Sequence, residues 1–213
     1  MTPRGIIFDL DGTLTDSKPG LLAGLRHMHR TLGWEVPPDD ELERWLGPPT
    51  VTILAEAGHP QPVIDRAIAA FRAALDAGAL LESRLYPGIA PLLARLHDAR
   101  RPMGVATHKI QRDAVAVVEH YGLSERFRGV HGRMPDEVGH SKAPVIARAV
   151  ASIGLPPGEL VMVGDRVNDI ASAHELGMPS IGVAYGYGGR DELAAAGATR
   201  IVDSVDELAD LLG

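Results

Sequence analysis

Cysteine is absent from this 213-residue chain, which excludes a disulfide scaffold and any cysteine-bound zinc. Lysine is scarce: Lys18, Lys109 and Lys142 are the only ones, and the other eighteen of the 21 basic residues are arginines. Each lysine therefore asks for a reason. Basic charge as a whole is also in deficit, with 21 Lys and Arg against 28 Asp and Glu for a formal net charge of −7. That leaves no overall basic footprint for nucleic acid or an anionic membrane, although a local basic pocket stays open. No apolar run approaches the roughly 18 residues of a membrane helix. The acidic Asp9-Leu10-Asp11 stands where a signal peptide would carry its apolar stretch. Nor do the histidines show H-E-x-x-H or a comparable metal spacing. The expectation is a cytoplasmic protein, monomer or homodimer, with neither nucleic acid nor membrane as partner.

What remains is an ordinary globular composition, 45% hydrophobic and 23% charged, long enough for a real core and one domain, or one domain with an insertion. Residues 4–9 form a short apolar run that ends in acid and meets a glycine turn at Gly12, which reads as a buried strand feeding a loop. Runs at 102–107, 160–164 and 179–184 repeat the pattern, and 127–131 and 199–202 are weaker versions. Helical stretches such as 112–121, 143–153, 169–176 and 205–212 lie between them, several closed by Gly122, Gly154 or Gly177. This alternation predicts an α/β fold with a doubly wound parallel sheet and ligands at the carboxyl ends of its strands. Residues 17–83 break the rhythm: 21–32, 39–45, 51–57 and 63–81 all look helical and none looks like a sheet strand. The expected organisation is a core of 1–16 and 84–213 with a helical cap at 17–83, hinged near Ser17-Lys18-Pro19 and Leu85-Tyr86-Pro87-Gly88.

Asp9 and Asp11 flank one residue at the tip of the first strand. A solvated loop with an Asx turn would account for that pair alone. Val161-Met162-Val163-Gly164-Asp165 repeats the design, and Asp169 follows one helical turn later, able to face the same way. If the two tips are neighbours, four carboxylates share a crevice. Two like charges about 4 Å apart repel by roughly 4 kcal/mol at an effective dielectric near 20, so a cation or shared protons must intervene. All-oxygen donors at a site that keeps water point to Mg2+ rather than zinc. Thr107 ends a third apolar strand and Lys142 opens the helix before the Asp165 strand; a hydroxyl, an ammonium and a helix N-terminus together make a phosphate clamp. Taken singly, Thr107 reads as a strand-end cap and Lys142 as a solvated helix residue.

Phe8-Asp9-Leu10-Asp11-Gly12-Thr13-Leu14, Ala106-Thr107-His108-Lys109, Lys142 and Gly164-Asp165-Arg166-Val167-Asn168-Asp169, in that order and at that separation, resemble the four motifs of the haloacid dehalogenase superfamily of phosphohydrolases. The resemblance covers nearly the whole chain and is to the phosphoglycolate phosphatase-like branch, with its helical cap after the first strand. It implies that Asp9 is a nucleophile forming an aspartyl-phosphate. It implies that Asp11 is the general acid and then the general base. Mg2+ would be held by Asp9, the Asp11 backbone carbonyl and Asp165, with Asp169 ordering a metal-bound water, and phosphate by Thr107, the His108 backbone N–H and Lys142. His108 and Arg166 depart from the pattern, the latter expected to bring a guanidinium beside the metal.

The implied function is Mg2+-dependent hydrolysis of a small phosphorylated metabolite. A sugar phosphomutase of the beta-phosphoglucomutase kind shares every core residue and stays open. A dehalogenase would need neither Asp11 nor the metal cluster, and a phosphonatase would need a cap lysine, for which only Lys18 is available. A response-regulator receiver also combines acids, Thr and Lys on a parallel sheet, but gains nothing from an acid/base such as Asp11. Specificity is expected in the cap, at the stiff Trp45–Thr50 loop with Gly47 and Pro48, and at Arg44 as a partner for a substrate carboxylate. His140 is close enough in sequence to Lys142 to approach the crevice, and Gly186-Tyr187-Gly188-Gly189 reads as a simple turn.

Overall fold

The structure is a computed structural model that describes residues 3–134, 137, 139 and 141–213; His140 lies outside the described residues. In chain order the strands are β1 (Gly5–Phe8), β2 (Thr15–Asp16), β3 (Arg84–Leu85), β4 (Met103–Ile110), β5 (Val130–Arg133), β6 (Leu160–Gly164), β7 (Ser180–Val183) and β8 (Arg200–Val202). The α-helices are α1 (Lys18–Leu32), α2 (Asp39–Leu42), α3 (Thr50–Glu56), α4 (Gln61–Asp76), α5 (Ile89–Asp98), α6 (Gln111–His120), α7 (Ala143–Ile153), α8 (Val167–Glu175), α9 (Gly189–Ala195) and α10 (Val205–Leu212). Two compact units result: one holds residues 3–16 and 85–213 apart from a short stretch near 139, and the other holds 17–84.

The first unit is built on a six-stranded parallel sheet in the order β5-β4-β1-β6-β7-β8, the doubly wound α/β class expected. β1 and β6 are buried at every residue, which is why central parallel strands read as unbroken apolar runs rather than alternating ones. From β1 the chain winds through β4 to β5, then returns to the other side of β1 for β6. The carboxyl ends of β1, β4 and β6 therefore lie side by side where the winding reverses, the place where ligands bind in open α/β sheets. Below that rim, Val145, Ile146 and Ala149 of α7 pack with Ile7, Ala106, Leu160 and Met162 of the sheet. α7 starts with proline in its first turn and stops at Gly154, whose φ of 75° no β-carbon favours.

The second unit is helical. Leu22, Leu25 and Met28 of α1 close on Leu42, Leu54, Ile64 and Ala67, and α1 can approach α4 because a β-carbon at Gly24 would come within 2.7 Å of the Phe71 ring. The Nδ1–H of buried His29 donates to the Glu35 carbonyl, 2.7 Å away. Three details differ from the sequence reading. The last long helix stops at Asp76 rather than running to 81, because Gly78 at φ 126° ends it before a 3-10 turn. The short strands β2 and β3, paired as a two-stranded ribbon, stand where the chain leaves the first unit and returns to it, where only hinges were expected. Helices α5 and α9 are additional; α5 carries buried Ile89, Leu92, Leu93 and Leu96 on one stripe. No helix among the described residues is long and apolar enough to cross a membrane.

Candidate active site

β1 and β6 continue their ladder one residue past β1, with the Asp9 N–H donating to the Val163 carbonyl at 2.8 Å. This brings the acids that follow both strands together. Carboxylate oxygens of Asp9, Asp165 and Asp169 all lie within 4.8 Å of one another, and all three residues are buried. Lys142, only 2% exposed, reaches between them from the start of α7: its Nζ is 2.9 Å from Asp9 Oδ2 and also bonds Asp169 Oδ1. The Lys142 backbone N–H is fixed on Ser172 Oγ at 2.8 Å.

Glycine makes the close approach of the two strand ends feasible. Gly12 has φ 82°, and a β-carbon there would collide with the Asp165 carboxylate; only glycine combines that backbone with that clearance. Gly164 likewise leaves the space that the Asp169 side chain fills. Around this frame Asp9 Oδ1 accepts the Leu10 N–H at 2.7 Å, Thr13 donates to Asp165 Oδ1 at 3.3 Å, and Asp169 Oδ2 accepts the Arg166 N–H at 3.0 Å.

Charge in the cluster is out of balance. Burial is the main force pushing Asp9 up to about 6; Asp169 and Asp11 add repulsion while Lys142 opposes. Asp165 is raised well above the usual carboxylate range, again by burial first and then by Asp9 and Asp169. Burial alone would lower Lys142, but Asp169 and Asp9 outweigh it and hold the ammonium above its ordinary pKa. One buried cation thus faces three buried carboxylates, two of which are reluctant to ionise. A hard divalent cation with oxygen donors fits that deficit and that donor set.

Asp11 does not join the three-acid group with its side chain. Its Oδ2 instead pairs with Lys109 Nζ at 3.0 Å. Thr107 does not end its strand as expected, since β4 runs on to Ile110 past a register shift after Ala106; it is buried within β4 and accepts the Lys109 N–H at 3.3 Å, and half-buried His108 lies between them. The expected residues of the first unit are therefore brought to one rim, with Asp9, Asp11 and Asp165 just past β1 and β6, Thr107 and His108 within β4, Lys142 ahead of α7 and Asp169 in the first turn of α8. Arg44, Gly47 and Pro48 all belong to the second unit: Arg44 is exposed on a 3-10 turn, and Gly47 and Pro48 are half-buried before α3. The Arg166 guanidinium pairs with Glu192, with Nε 2.8 Å from Oε1, and the Arg166 backbone N–H serves Asp169.

Contributors not anticipated from sequence are the Tyr187 N–H, which donates to Asp165 Oδ2 at 2.8 Å, the Tyr185 hydroxyl, which donates to the Thr13 carbonyl at 3.0 Å, Ser172, and the ammonium of Lys109. The 186–188 segment is a turn that leads into α9 at Gly189, and its backbone holds a carboxylate: a β-carbon at Gly186 would collide with Asp165 and the Gly12 carbonyl. Lys109 was marked in the sequence by the scarcity of lysine and by its place in the second motif, but its pairing with Asp11 was not.

Comparison with known proteins agrees with this geometry. The chain is similar to a tyrosine-protein kinase of Mycobacterium tuberculosis, 36% identical across 100% of this chain and 73% of the relative. It is 33% identical to a phosphoglycolate phosphatase of Rhodospirillum rubrum, across 99% of this chain and 91% of that one, and 32% identical to a 5'-nucleotidase of Pseudomonas aeruginosa, across 89% and 86%. A solved structure described as a predicted phosphatase from Clostridium acetobutylicum superposes with a TM-score of 0.92 at 34% identity, covering 99% of this chain and 98% of its own. The family model for haloacid dehalogenase-like hydrolases matches residues 6–183, spanning every carboxylate and lysine of the cluster. With its parallel sheet, its buried acids on neighbouring strand ends and these relatives, the chain belongs to the haloacid dehalogenase-like hydrolase family, in its phosphoglycolate phosphatase-like branch.

Proposed function

We propose that the protein hydrolyses a small phosphomonoester, of the phosphoglycolate class, through a phosphoryl group carried on Asp9. The observation that supports this best is Lys142, buried and bonded to both Asp9 and Asp169 beside Asp165. An ammonium fixed there neutralises the nucleophile's surroundings and the incoming phosphate without reorganising during the reaction. Asp9, the Asp11 backbone carbonyl and Asp165 would hold Mg2+, with Asp169 ordering a water beside it; when bound, the ion supplies charge neutralisation for phosphoryl oxygens.

The chain's own residues perform the rest. An Asp9 carboxylate oxygen forms a bond to phosphorus as the ester oxygen leaves, taking a proton from Asp11. Water then attacks the phosphorus, gives its proton to Asp11 and frees Asp9 and inorganic phosphate. The Asp11 side chain is turned away from the other three acids, and this supports the acid/base role, because a carboxylate bound directly to the metal cannot readily hold a proton. Thr107 and the His108 N–H would bind the phosphoryl oxygens. The 17–83 helical unit would act as the cap, with Arg44, Gly47 and Pro48 among the residues that select the substrate.

Multiple turnovers of p-nitrophenyl phosphate in Mg2+, abolished by EDTA and restored by Mg2+, are expected. A screen of phosphoglycolate, sugar phosphates, nucleoside monophosphates and pyrophosphate then ranks substrates. Inorganic phosphate released without a bisphosphate activator separates hydrolysis from a phosphomutase. Transfer from ATP to tyrosine in place of release to water would instead align the chain with its mycobacterial relative. No turnover in Mg2+ sinks the proposal.

Stability carries a second test. Asp9 and Asp165 keep their protons in the folded state to higher pH than in the unfolded chain. Their contribution to stability is therefore full below the usual carboxylate range and is lost as pH rises through about 6 for Asp9. Mg2+ should raise Tm more at pH 7.5 than at pH 5, by several degrees, since each kcal/mol moves Tm by roughly 2–4 °C at this size. An equal Mg2+ effect at both pH values would contradict the charge imbalance.

A further inference from the structure

Of the two lysines in the first unit, Lys109 is the one whose position the phosphate clamp and the metal cluster leave unexplained. Its side chain is 6% exposed and that of Asp11 is 16% exposed, with Nζ to Oδ2 at 3.0 Å. Three features of the backbone set it there. The β4–β5 register shifts between Ala106 and Ile110, an irregularity of the sort that re-aims side chains beside active sites. The Lys109 N–H is tied to the Thr107 hydroxyl. Asp11 follows Leu10 in a tight turn, with the Gly12 N–H on the Thr15 carbonyl at 2.8 Å and the Thr13 and Leu14 N–H groups on the Leu10 carbonyl, so its backbone is fixed and its side chain is what Lys109 steers.

Asp11 would otherwise have two attractive alternatives, the Lys142 ammonium and a bound cation. Asp9 and Asp169 already occupy Lys142. A fourth carboxylate turned inward would add repulsion of several kcal/mol to the crowded crevice. We propose that Lys109 is a positioning residue for Asp11: its buried ammonium holds the Asp11 carboxylate out of the three-acid cluster, on the side of the nucleophile where the leaving oxygen departs and water enters. The inference rests on the assignment of Asp9 as nucleophile and Asp11 as acid/base.

Holding by a short salt bridge favours proton transfer by fixing distance and direction, and misplacement by about 1 Å can cost around 100-fold. The effect should therefore fall on kcat rather than on KM. It should also depend on the leaving group, because 2,4-dinitrophenolate departs without a proton whereas an alkoxide cannot.

The test compares the wild type with Lys109→Met and Lys109→Arg, and with Lys109→Gln should the methionine variant fail to fold. Phosphorylation rates are measured in single turnovers with an alkyl phosphate and with 2,4-dinitrophenyl phosphate, alongside steady-state kcat and KM. Expected for Lys109→Met or Lys109→Gln is a loss of about 10–100-fold in kcat for the alkyl phosphate, with KM within about threefold of wild type. With dinitrophenyl phosphate the phosphorylation step is nearly unchanged, and a burst of one dinitrophenolate per site precedes a slow steady state, because water attack still needs Asp11. Lys109→Arg should recover much of the loss. A raised KM with unchanged kcat would make Lys109 a phosphate ligand and overturn the proposal. So would equal losses in the single-turnover phosphorylation rate for both leaving groups, or full activity in both neutral variants. If the wild type turns over neither ester in Mg2+, the hydrolase reading itself has failed, an outcome distinct from these.

Discussion

Asp9→Asn should abolish turnover, with kcat reduced by at least about 1,000-fold, while the chain folds as before. The carboxamide is close in shape to the carboxylate, and its oxygen can still accept the Leu10 N–H that Asp9 Oδ1 accepts at 2.7 Å. Its neutral oxygen lacks the carboxylate's negative charge and is too weak a nucleophile to displace an alkoxide from phosphorus, so the covalent route closes. Stability should not suffer. Asp9 is buried, raised to about 6, and repelled by Asp169 and Asp11, so a neutral replacement removes an unfavourable charge, while Lys142 keeps Asp169 as partner. In EDTA at pH 7.5 the variant should melt at or above the wild-type temperature and respond less to Mg2+. Equal turnover, after exclusion of deamidated protein and of contaminating phosphatase by mass spectrometry and repeated purification, would remove Asp9 from the mechanism. A large fall in Tm would show instead that its charge holds the fold.

The parts of the site that a sequence displays are those whose chemistry is carried by side chains at strand ends. β1 and β6 are buried on both faces, so their apolar runs are continuous and the acids that end them stand out. Lys142 was visible because a helix with a proline in its first turn and a glycine at its end has marked limits. What stayed hidden acts through backbone or through distance. The Tyr187 N–H that holds Asp165 belongs to a turn that contains no informative side chain, and any residue but proline could supply it. Arg166 looked like a charge beside the metal because its neighbour Asp165 is there; its partner Glu192 is 26 positions away and only the fold shows the pairing. Helix α9 begins within a run of glycines, which masks its start. Helix α5 had the right spacing, at 89, 92, 93 and 96, but follows a proline–glycine hinge that drew attention to the break rather than to what came after.

Lys142→Met should damage the protein in two separable ways. The Lys142 side chain is 3% exposed and its ammonium contacts Asp9 and Asp169; removing one member of such a buried network costs about 3–5 kcal/mol, because the remaining charges lose their partner. Activity should fall as well, by roughly 100–1,000-fold in kcat, as expected when a fixed donor to developing charge is lost. Adding Asp169→Asn to Lys142→Met distinguishes the two effects. The double variant carries one acid fewer, and an asparagine oxygen can still accept the Arg166 N–H that Asp169 Oδ2 accepts at 3.0 Å. It should therefore regain much of the lost Tm in EDTA at pH 7.5, with the coupling between the two sites read directly from the cycle. It should regain none of the lost kcat, since no substitution at 169 replaces a cation aimed at the phosphoryl oxygens. Recovery of both together would mean that Lys142 serves only to neutralise Asp169, and that the positive charge needed at phosphorus comes from elsewhere.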